Sequence, residues 1–293
     1  MSKIKIMTDS ASDIPPETAR KAGLELIPIP ITVDGVGYLE GVDFTSEEFY
    51  NILLNCKELP TTSQINAVTY CEKYHEAYAQ GFDAIILISL NSLASQTYQS
   101  AVAAKELLFA NVPKAREKLT IHIVDSKSFS VTYGYPALEA AKMAREGRSA
   151  EMILAYLDDW FSRLEVYFTA FSFEFIKRSG RVGVCTAMVG EALGIRPVVS
   201  IIDGKFEICD KARGNSAVMK KMALLARNRR IESSPYLMLS GTQPGAAEEM
   251  AGLMRQFTGL ECSGSYKVGS AVAINSGPKM LGICFLGEKR SRS

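Results

Sequence analysis

The chain has 293 residues, with 33 Lys+Arg and 32 Asp+Glu, and a formal charge of +1. Its 47% hydrophobic and 22% charged residues are typical of a globular protein and exclude a disordered one. The near-neutral charge argues against a dedicated nucleic-acid or membrane binder. The charge is uneven, however: residues 1–150 carry 14 basic and 18 acidic side chains, a net of −4, and residues 151–293 carry 19 and 14, a net of +5.

Several signals of other protein classes are missing from the sequence. No apolar run approaches the roughly 18 residues of a membrane span, and the N-terminus does not resemble a signal peptide. The six cysteines are scattered without a C-x-x-C pair, which is typical of reduced thiols and predicts a cytoplasmic protein. The fingerprints G-x-S-x-G, G-x-x-x-x-G-K-[ST] and G-x-G-x-x-G are also missing, which makes common hydrolase, nucleotide-kinase and dinucleotide-enzyme functions less expected.

The first half of the chain alternates strand and helix signals. Asp13 is a plausible N-cap for a short helix that Gly23 ends. Pro28 and Pro30 limit the extended segment 25–33 to an edge strand, and Thr45 with Glu48 forms a capping box. The predicted strands are 3–8, 25–33, 83–89 and 120–125, and further helices are predicted over 66–79, about 95–110 and about 133–145. This repetition implies a parallel sheet covered by helices.

The second half has a different pattern. A long helix over about 149–164 leads into a β-hairpin centred on Asp203-Gly204, because D-G favours a type I′ turn. Helices are predicted at about 216–229 and 245–257, and strands at 235–240, 265–274 and 281–286. The sequence therefore predicts an α/β protein of two α/β domains, 1–150 and 151–293. The first domain has a mainly parallel sheet flanked by helices, the second has a mixed sheet, and a ligand cleft is expected between them.

Hydroxyl-bearing residues cluster where the predicted strands end. Because ligands sit beyond the carboxyl ends of the strands in an open parallel sheet, we expect at least three of these loops to meet there. Hydroxyls and helix N-termini favour anions, although each loop alone is also an ordinary capping or turn sequence. The four loops are T-D-S-A-S-D at 8–13, P-T-T-S-Q at 60–64, S-L-N-S-L-A-S-Q-T-Y at 89–98 and V-D-S-K-S-F-S at 124–130.

The order of these loops along the chain and their residues resemble those of the DegV family of bacterial fatty-acid-binding proteins. The second half continues the resemblance with F-I-K-R-S-G-R-V-G, G-I-R-P-V-V-S-I-I-D-G-K, K-A-R-G and N-S-G-P. The resemblance implies a two-domain α/β protein that holds one long-chain fatty acid, with the tail in an apolar tunnel and the carboxylate among hydroxyls. It also implies a carrier, not an enzyme, that presents the carboxylate to a fatty acid kinase. No cofactor, metal, integral membrane segment or nucleic acid is expected.

Carried over to this sequence, the resemblance makes Thr62 and Ser95 the carboxylate contacts. Each hydroxyl offers one donor to a carboxylate oxygen, although Thr62 is also a plausible turn residue and Ser95 a plausible N-cap. Asn275 stands where family members commonly have His, which weakens the expectation of phosphotransfer. The further predicted ligand contacts are Ser63, Thr97, Asn275 and Ser276. The predicted partner or phosphate contacts, within the basic stretch 177–230, are Arg181 and Arg213.

Two other functions stay open from the sequence. A divergent α/β enzyme related to dihydroxyacetone kinases would need His75 or His122, the only two histidines, to tether a substrate. A binding module for another small amphiphile would need only the apolar tunnel. Nucleic-acid binding through 211–230 is less expected, because few aromatic residues accompany the basic ones.

Overall fold

The computed structural model describes residues 3–178 and 194–290. It confirms an α/β protein that contains a parallel sheet flanked by helices and a separate mixed sheet. Within the described residues, no helix is long and apolar enough to cross a membrane. The chain divides into two compact units: Met1–Thr45 with Thr61–Phe161, and Ser46–Pro60 with Ser162–Ser293.

From the N-terminus to α7, strands and helices alternate broadly as predicted. In chain order they are β1 (Ile4–Asp9), α1 (Pro16–Ala22), β2 (Glu25–Ile27), β3 (Pro30–Val33), β4 (Val36–Leu39), α2 (Ser46–Asn55, which belongs to the second unit), β5 (Thr61–Thr62), α3 (Ala67–Ala79), β6 (Ala84–Ser89), α4 (Thr97–Asn111), α5 (Pro113–Lys118), β7 (Thr120–Asp125), α6 (Val131–Arg145) and α7 (Ala150–Arg163).

The main sheet of the first unit is parallel, in the order β2-β1-β6-β7. Every residue of β6 is buried, as expected for a strand covered on both faces by helices. The carboxyl ends of β1, β6 and β7 lie at one edge, because Asp9 follows Thr8, the partner of Ile88, and Ser89 is the partner of Asp125. Three of the four hydroxyl-rich loops therefore begin along this edge, as predicted.

Two local predictions in this unit are wrong. The segment 25–33 is not one edge strand, since it breaks near Pro28 into β2 at the edge of the main sheet and β3 at the centre of a small β4-β3-β5 sheet. Asp13 is not the N-cap of α1. Its φ of 56° puts it in the left-handed region at the end of a 3₁₀ turn, and the helix begins at Pro16 after Pro15.

The second unit contains α2 and the rest of the chain. Its further elements are β8 (Leu164–Ala170), α8 (Glu174–Arg178), β9 (Ile195–Ile202), β10 (Lys205–Arg213), α9 (Asn215–Arg229), β11 (Tyr236–Ser240), α10 (Ala246–Thr258), β12 (Gly264–Lys267), α11 (Ser270–Ser276) and β13 (Met280–Leu286). The mixed sheet runs β10-β9-β8-β13-β11-β12, with only β11 and β12 parallel. The predicted hairpin is confirmed as β9 and β10, and both turn residues, Asp203 and Gly204, have positive φ.

The predicted strand over 265–274 is wrong beyond Lys267. Residues Ser270–Ser276 form the helix α11, with Ala271, Ala273 and Ile274 buried. The alternation of small and β-branched residues in S-A-V-A-I-N-S favoured a strand, but a short helix of about two turns buries the same apolar side chains.

The two compact units differ from the predicted domains in two places. The first unit runs on to Phe161, so that it keeps α7, which the prediction placed after residue 150. Residues Ser46–Pro60 leave the first unit and pack in the second, where Tyr50 donates a hydrogen bond to the carbonyl oxygen of Val268. Phe49 and Leu53 of α2 are buried as well, at 0% and 3% exposure.

Gly134 on α6 allows this helix to approach the loop after β1. A Cβ atom there would lie 2.3 Å from the carbonyl oxygen of Ser12 and 2.8 Å from Ile14 Cγ1. We expect Gly134→Ala to lower the free energy of unfolding by about 1–3 kcal/mol, because the backbone must shift to relieve the clash. Urea unfolding of the purified variant measures this change.

Gly252, on the exposed side of α10, is the matched control. Nothing lies within 4 Å of a Cβ atom built there. Gly252→Ala is expected to raise the free energy of unfolding by about 0.5–1 kcal/mol through helix propensity alone. Equal effects of the two substitutions would show that the approach of α6 to Ser12 is not a constraint.

Candidate functional site

Thr62 and Ser63 lie at the end of the small sheet of the first unit. Thr62 pairs with Ile31 across β3 and β5, and its side chain is half-buried. The Ser63 side chain is exposed, while its backbone N–H donates to the carbonyl oxygen of Pro30 at 2.9 Å. Neither hydroxyl has a hydrogen-bond partner among the described residues, so both are available to a ligand.

Ser95 and Thr97 lie at the start of α4. The Ser95 hydroxyl donates to Thr97 Oγ1 at 3.0 Å and accepts from the Thr97 N–H at 3.2 Å. Thr97 Oγ1 also accepts from the backbone N–H of Ile65 at 3.3 Å. The structure thus joins Ile65, which directly follows the P-T-T-S-Q segment, to the loop that carries Ser95, and Thr97 is the residue that joins them.

The loop between β6 and α4 is held by two carboxylates that the sequence analysis did not single out. Asp9 Oδ2 accepts from the Leu90 N–H at 2.9 Å. Asp125 accepts from the backbone N–H of Ser92 at 3.1 Å and from its hydroxyl at 2.5 Å. Aspartates at the ends of β1 and β7 were the available signal, because such positions face the loops at the carboxyl edge of the sheet.

Asp9 is fully buried, at 0% exposure. Burial is the largest influence and raises the pKa of its carboxyl to about 6, while hydrogen bonds from Tyr133 and from the Leu90 N–H act in the opposite direction. The Tyr133 hydroxyl donates to Asp9 Oδ1 at 2.6 Å. Burial, and then the nearby Asp9, raise the pKa of Tyr133, so that it remains a hydrogen-bond donor at neutral pH.

Two further carboxylates tie the same edge together. The Ser10 hydroxyl donates to Glu40 Oε2 at 2.6 Å and accepts from the N–H of Ile29 at 2.9 Å. The Ser130 hydroxyl donates to Asp13 Oδ2. The T-D-S-A-S-D and V-D-S-K-S-F-S loops are therefore joined at this edge by a side-chain hydrogen bond.

Asn275 and Ser276 belong to α11 in the second unit. The Asn275 side chain donates from Nδ2 to the Ala271 carbonyl oxygen at 3.0 Å, and the Ser276 hydroxyl donates to Val272 at 3.0 Å. The single hydroxyl proton of Ser276 is thus used by its own helix. Asn275 keeps a second N–H, so it has more capacity than Ser276 to bind an anion.

Two segments, S-G-T-Q at 240–243 and N-S-G-P at 275–278, meet within the second unit. Thr242 N–H donates to the Pro278 carbonyl oxygen at 2.7 Å, and Gly241 N–H donates to Met280 at 2.9 Å. A Cβ atom on Gly241 would lie 1.8 Å from the Pro278 carbonyl oxygen, so only glycine fits there. The contact gives these two segments a packing role.

Of the two predicted partner or phosphate contacts, only Arg213 is among the described residues. Arg181 lies outside the described residues. Arg213 is exposed at the end of β10, and its guanidinium makes no hydrogen bond or ion pair with any described residue. In the neighbouring helix, by contrast, Lys221 pairs with Asp210 at 2.5 Å and Arg229 pairs with Glu165 at 3.2 Å. Arg213 is therefore free to contact a phosphate or a partner.

A small apolar cluster of the second unit includes side chains that are partly exposed. It is built on the buried side chains of Ala170, Phe173 and Val199, against which Phe168, Ile176 and Ile208 pack while partly exposed. Phe206 is 40% exposed and stacks edge-on against Phe168, with ring centroids 5.8 Å apart. A surface of this kind gains free energy when it is covered by hydrocarbon.

The two histidines lie on different elements. His75 is exposed on α3. His122 is half-buried on β7, where burial first and the neighbouring Lys105 second lower its pKa. Within residues 3–178 and 194–290, no three His, Cys, Asp or Glu side chains are grouped to hold a metal ion.

The structure defines a two-unit α/β protein in which Ser95 and Thr97 follow β6 at the carboxyl edge of the parallel sheet. The sequence profile described as "uncharacterised protein, DegV family" matches residues 3–288, and the chain belongs to this family. A DegV domain-containing protein from Caldanaerobacter subterraneus subsp. tengcongensis is 34% identical over 232 residues, which is 79% of each chain.

Solved structures share the fold over nearly the whole chain. A stearic-acid-binding protein from Eubacterium ventriosum is 24% identical, with a TM-score of 0.85 over 98% of both chains. A DegV family protein from Thermus thermophilus, described for its fatty acid binding, is 25% identical, with a TM-score of 0.82 over 98% of this chain and 100% of that one.

The raised pKa of Asp9 makes stability depend on pH. Because its pKa of about 6 in the folded protein exceeds the ordinary 3.8, the folded state binds the proton more tightly than the unfolded state. As pH rises from about 4 to above 6, the free energy of unfolding should therefore fall by about 3 kcal/mol relative to Asp9→Asn. Urea unfolding of both proteins across this range measures the difference.

Tyr133→Phe provides a second measurement on the same carboxyl. Loss of the phenol donor removes a hydrogen bond that lowers the pKa of Asp9, so the fall in stability should extend to higher pH than in the wild type. A constant difference in stability between the wild type and Asp9→Asn from pH 4 to pH 7 would contradict the assignment.

Proposed function

We propose that this chain binds one long-chain fatty acid, with its carboxylate held by the hydroxyls of Thr62 and Ser95 and its tail in an apolar tunnel. The observation that carries the proposal is the bonded link between the segments of these two residues, through Ile65 N–H and Thr97 Oγ1 at 3.3 Å. The fatty-acid binding described for the Thermus thermophilus family member supports the choice of ligand.

The tail provides most of the affinity. Removing about fifteen methylene and methyl groups from water, at about 0.8 kcal/mol each, gives roughly 12 kcal/mol before the entropic costs of binding. Hydroxyl contacts to the carboxylate add less, since each replaces a hydrogen bond to water. The tail therefore decides how tightly the ligand binds, and the hydroxyls decide where its head group lies.

The other predicted head-group contacts differ in how much hydrogen-bonding capacity they have left for a ligand. Ser63, beside Thr62, has an exposed hydroxyl without a partner in the described part of the chain, and it is retained as a head-group contact. Asn275 is retained for its unused N–H. Ser276 is the weaker candidate, because its only proton already goes to Val272. No cofactor is proposed.

We further infer that the protein is a carrier, not an enzyme, and that a fatty acid kinase is its partner. Two neutral hydroxyls orient a carboxylate without neutralising it, so its free oxygen stays nucleophilic. That oxygen would attack the terminal phosphoryl group of a nucleoside triphosphate on the kinase, and the nucleoside diphosphate would leave. Arg213, with Arg181, would contact the phosphate or the partner.

Native mass spectrometry of the protein purified from a lipid-replete host tests the ligand. We expect a co-purified mass equal to a C14–C18 fatty acid. Thr62→Val and Ser95→Ala should each weaken the binding of stearic acid by about tenfold, because each removes one charge-assisted hydrogen bond. Displacement of a fluorescent fatty acid measures the dissociation constants.

Thr61→Val is the matched control for Thr62→Val. Thr61 is the neighbouring residue of β5, so its side chain points to the opposite face of the strand, and it is exposed. The control should leave the dissociation constant unchanged. Repeated absence of bound acid would reject the ligand, whereas an unchanged dissociation constant for Thr62→Val and Ser95→Ala would reject only the head-group site.

Phosphoryl transfer in the presence of a purified bacterial fatty acid kinase tests the partner. Arg213→Glu should slow acyl-phosphate formation about tenfold while leaving stearic acid binding intact, because Arg213 is exposed and pairs with none of the described residues. Lys114→Glu on the exposed side of α5 is the control for the charge change. Equal rates for Arg213→Glu and the control would exclude Arg213 from the contact.

A further inference from the structure

We propose that Thr97 is a positioning residue, which sets the direction of the Ser95 hydroxyl through a chain of hydrogen bonds and does not itself touch the ligand. The inference rests on the proposed function, because it concerns how the carboxylate is held. It revises the expectation that Thr97 is a direct ligand contact.

Burial separates Thr97 from the two proposed contacts. Its side chain is 0% exposed, whereas Thr62 and Ser95 are half-buried. Its Oγ1 lies within hydrogen-bond distance of both neighbours, 3.3 Å from Ile65 N and 3.0 Å from Ser95 Oγ. A fully buried hydroxyl with two protein partners is placed to act through them.

The Ser95 hydroxyl has one proton, and this determines the direction of the hydrogen bonds between Thr97 and Ser95. In the structure, this proton is donated to Thr97 Oγ1. When Ser95 donates to a carboxylate instead, its oxygen is left to accept, and Thr97 can supply its own hydroxyl proton to it. The bonds then run in one direction, from Ile65 N–H to Thr97, to Ser95 and to the carboxylate. Hydrogen bonds in such a series strengthen one another.

The surrounding loop makes this arrangement rigid. Leu90 and Ser92 are held by Asp9 and Asp125, and the N–H groups of Leu93 and Ala94 are bonded to Asn91. Thr97 itself is β-branched and has few rotamers available at the start of a helix. The Ser95 oxygen is therefore kept in place, and only its proton changes direction.

The test compares an acid with a neutral ligand of the same tail. Thr97→Val keeps the shape of the side chain and removes the hydroxyl. We expect it to weaken stearic acid about tenfold and 1-octadecanol less than twofold, because only the acid uses the series of bonds. Thr97→Ser, which keeps the hydroxyl, should restore the preference for the acid. Fluorescence displacement gives both dissociation constants.

Thr169→Val is the control for the isosteric change. Thr169 is also 0% exposed, but its hydroxyl has no hydrogen-bond partner among the described residues, so neither ligand should be affected. The Ile65 amide should exchange with solvent faster in Thr97→Val than in the wild type, which checks the other end of the series. Should Thr97→Val fail to fold, Thr97→Ala removes the same hydroxyl without adding volume.

The outcomes separate this inference from the proposed function. Failure of the wild-type protein to bind stearic acid would overturn both. Binding by the wild type, with stearic acid and octadecanol weakened equally in Thr97→Val, would show a merely structural role and overturn the inference alone. An unchanged affinity for the acid in Thr97→Val would overturn it as well.

Discussion

A carboxylate buried at the end of β1 is the constraint on which the first unit depends. Asp9 is inaccessible to water, so both of its oxygens must find donors inside the protein. One donor is the backbone of Leu90 and the other is the phenol of Tyr133 on α6. The same residue thereby fixes the loop that leads to Ser95 and the helix that covers the sheet. A change in its hydrogen bonds would therefore alter the positions of both.

Burying the Asp9 carboxylate costs free energy, which its hydrogen bonds offset only in part. The pKa of Asp9 remains raised to about 6 despite its donors, which means that burial outweighs them. The close approach of α6 at Gly134 accompanies the short distance to Tyr133. In return, the loop before α4 has a defined conformation, as a site made of hydroxyls requires, since a single rotatable O–H orients a ligand only if its oxygen is fixed.

Hydroxyl contacts suit a ligand that is carried and then reacts. A fixed arginine or lysine would bind a carboxylate more strongly, but it would also withdraw charge from the oxygen that must attack. In the proposed site, the hydroxyls of Thr62 and Ser95 would orient the carboxylate with less neutralisation of its charge. In the proposed binding mode, most of the affinity would come from the hydrocarbon tail.

The elements that were predicted correctly have strong local signals. The apolar run of β6 and the D-G turn between β9 and β10 need no information from elsewhere in the chain. The prediction for 265–274 failed because a short run of small and β-branched residues fits a strand and a helical turn equally well. The place of α2 in the second unit was also hidden, because an amphipathic helix shows that it has an apolar face but not what that face packs against.

For the candidate site, the sequence by itself determined the chemistry: which loops carry hydroxyls, at which strand ends, and in an order that identifies the family. Only the tertiary structure decided which of these hydroxyls are available. It shows that the Thr62 hydroxyl has no hydrogen-bond partner among the described residues, that Ser95 is bonded to Thr97 and that Ser276 donates to its own helix. It also shows that Asp9 and Asp125 hold the loop between β6 and α4. The reason is physical: a hydroxyl has one proton, and the partner that takes it is set by neighbours distant in the sequence.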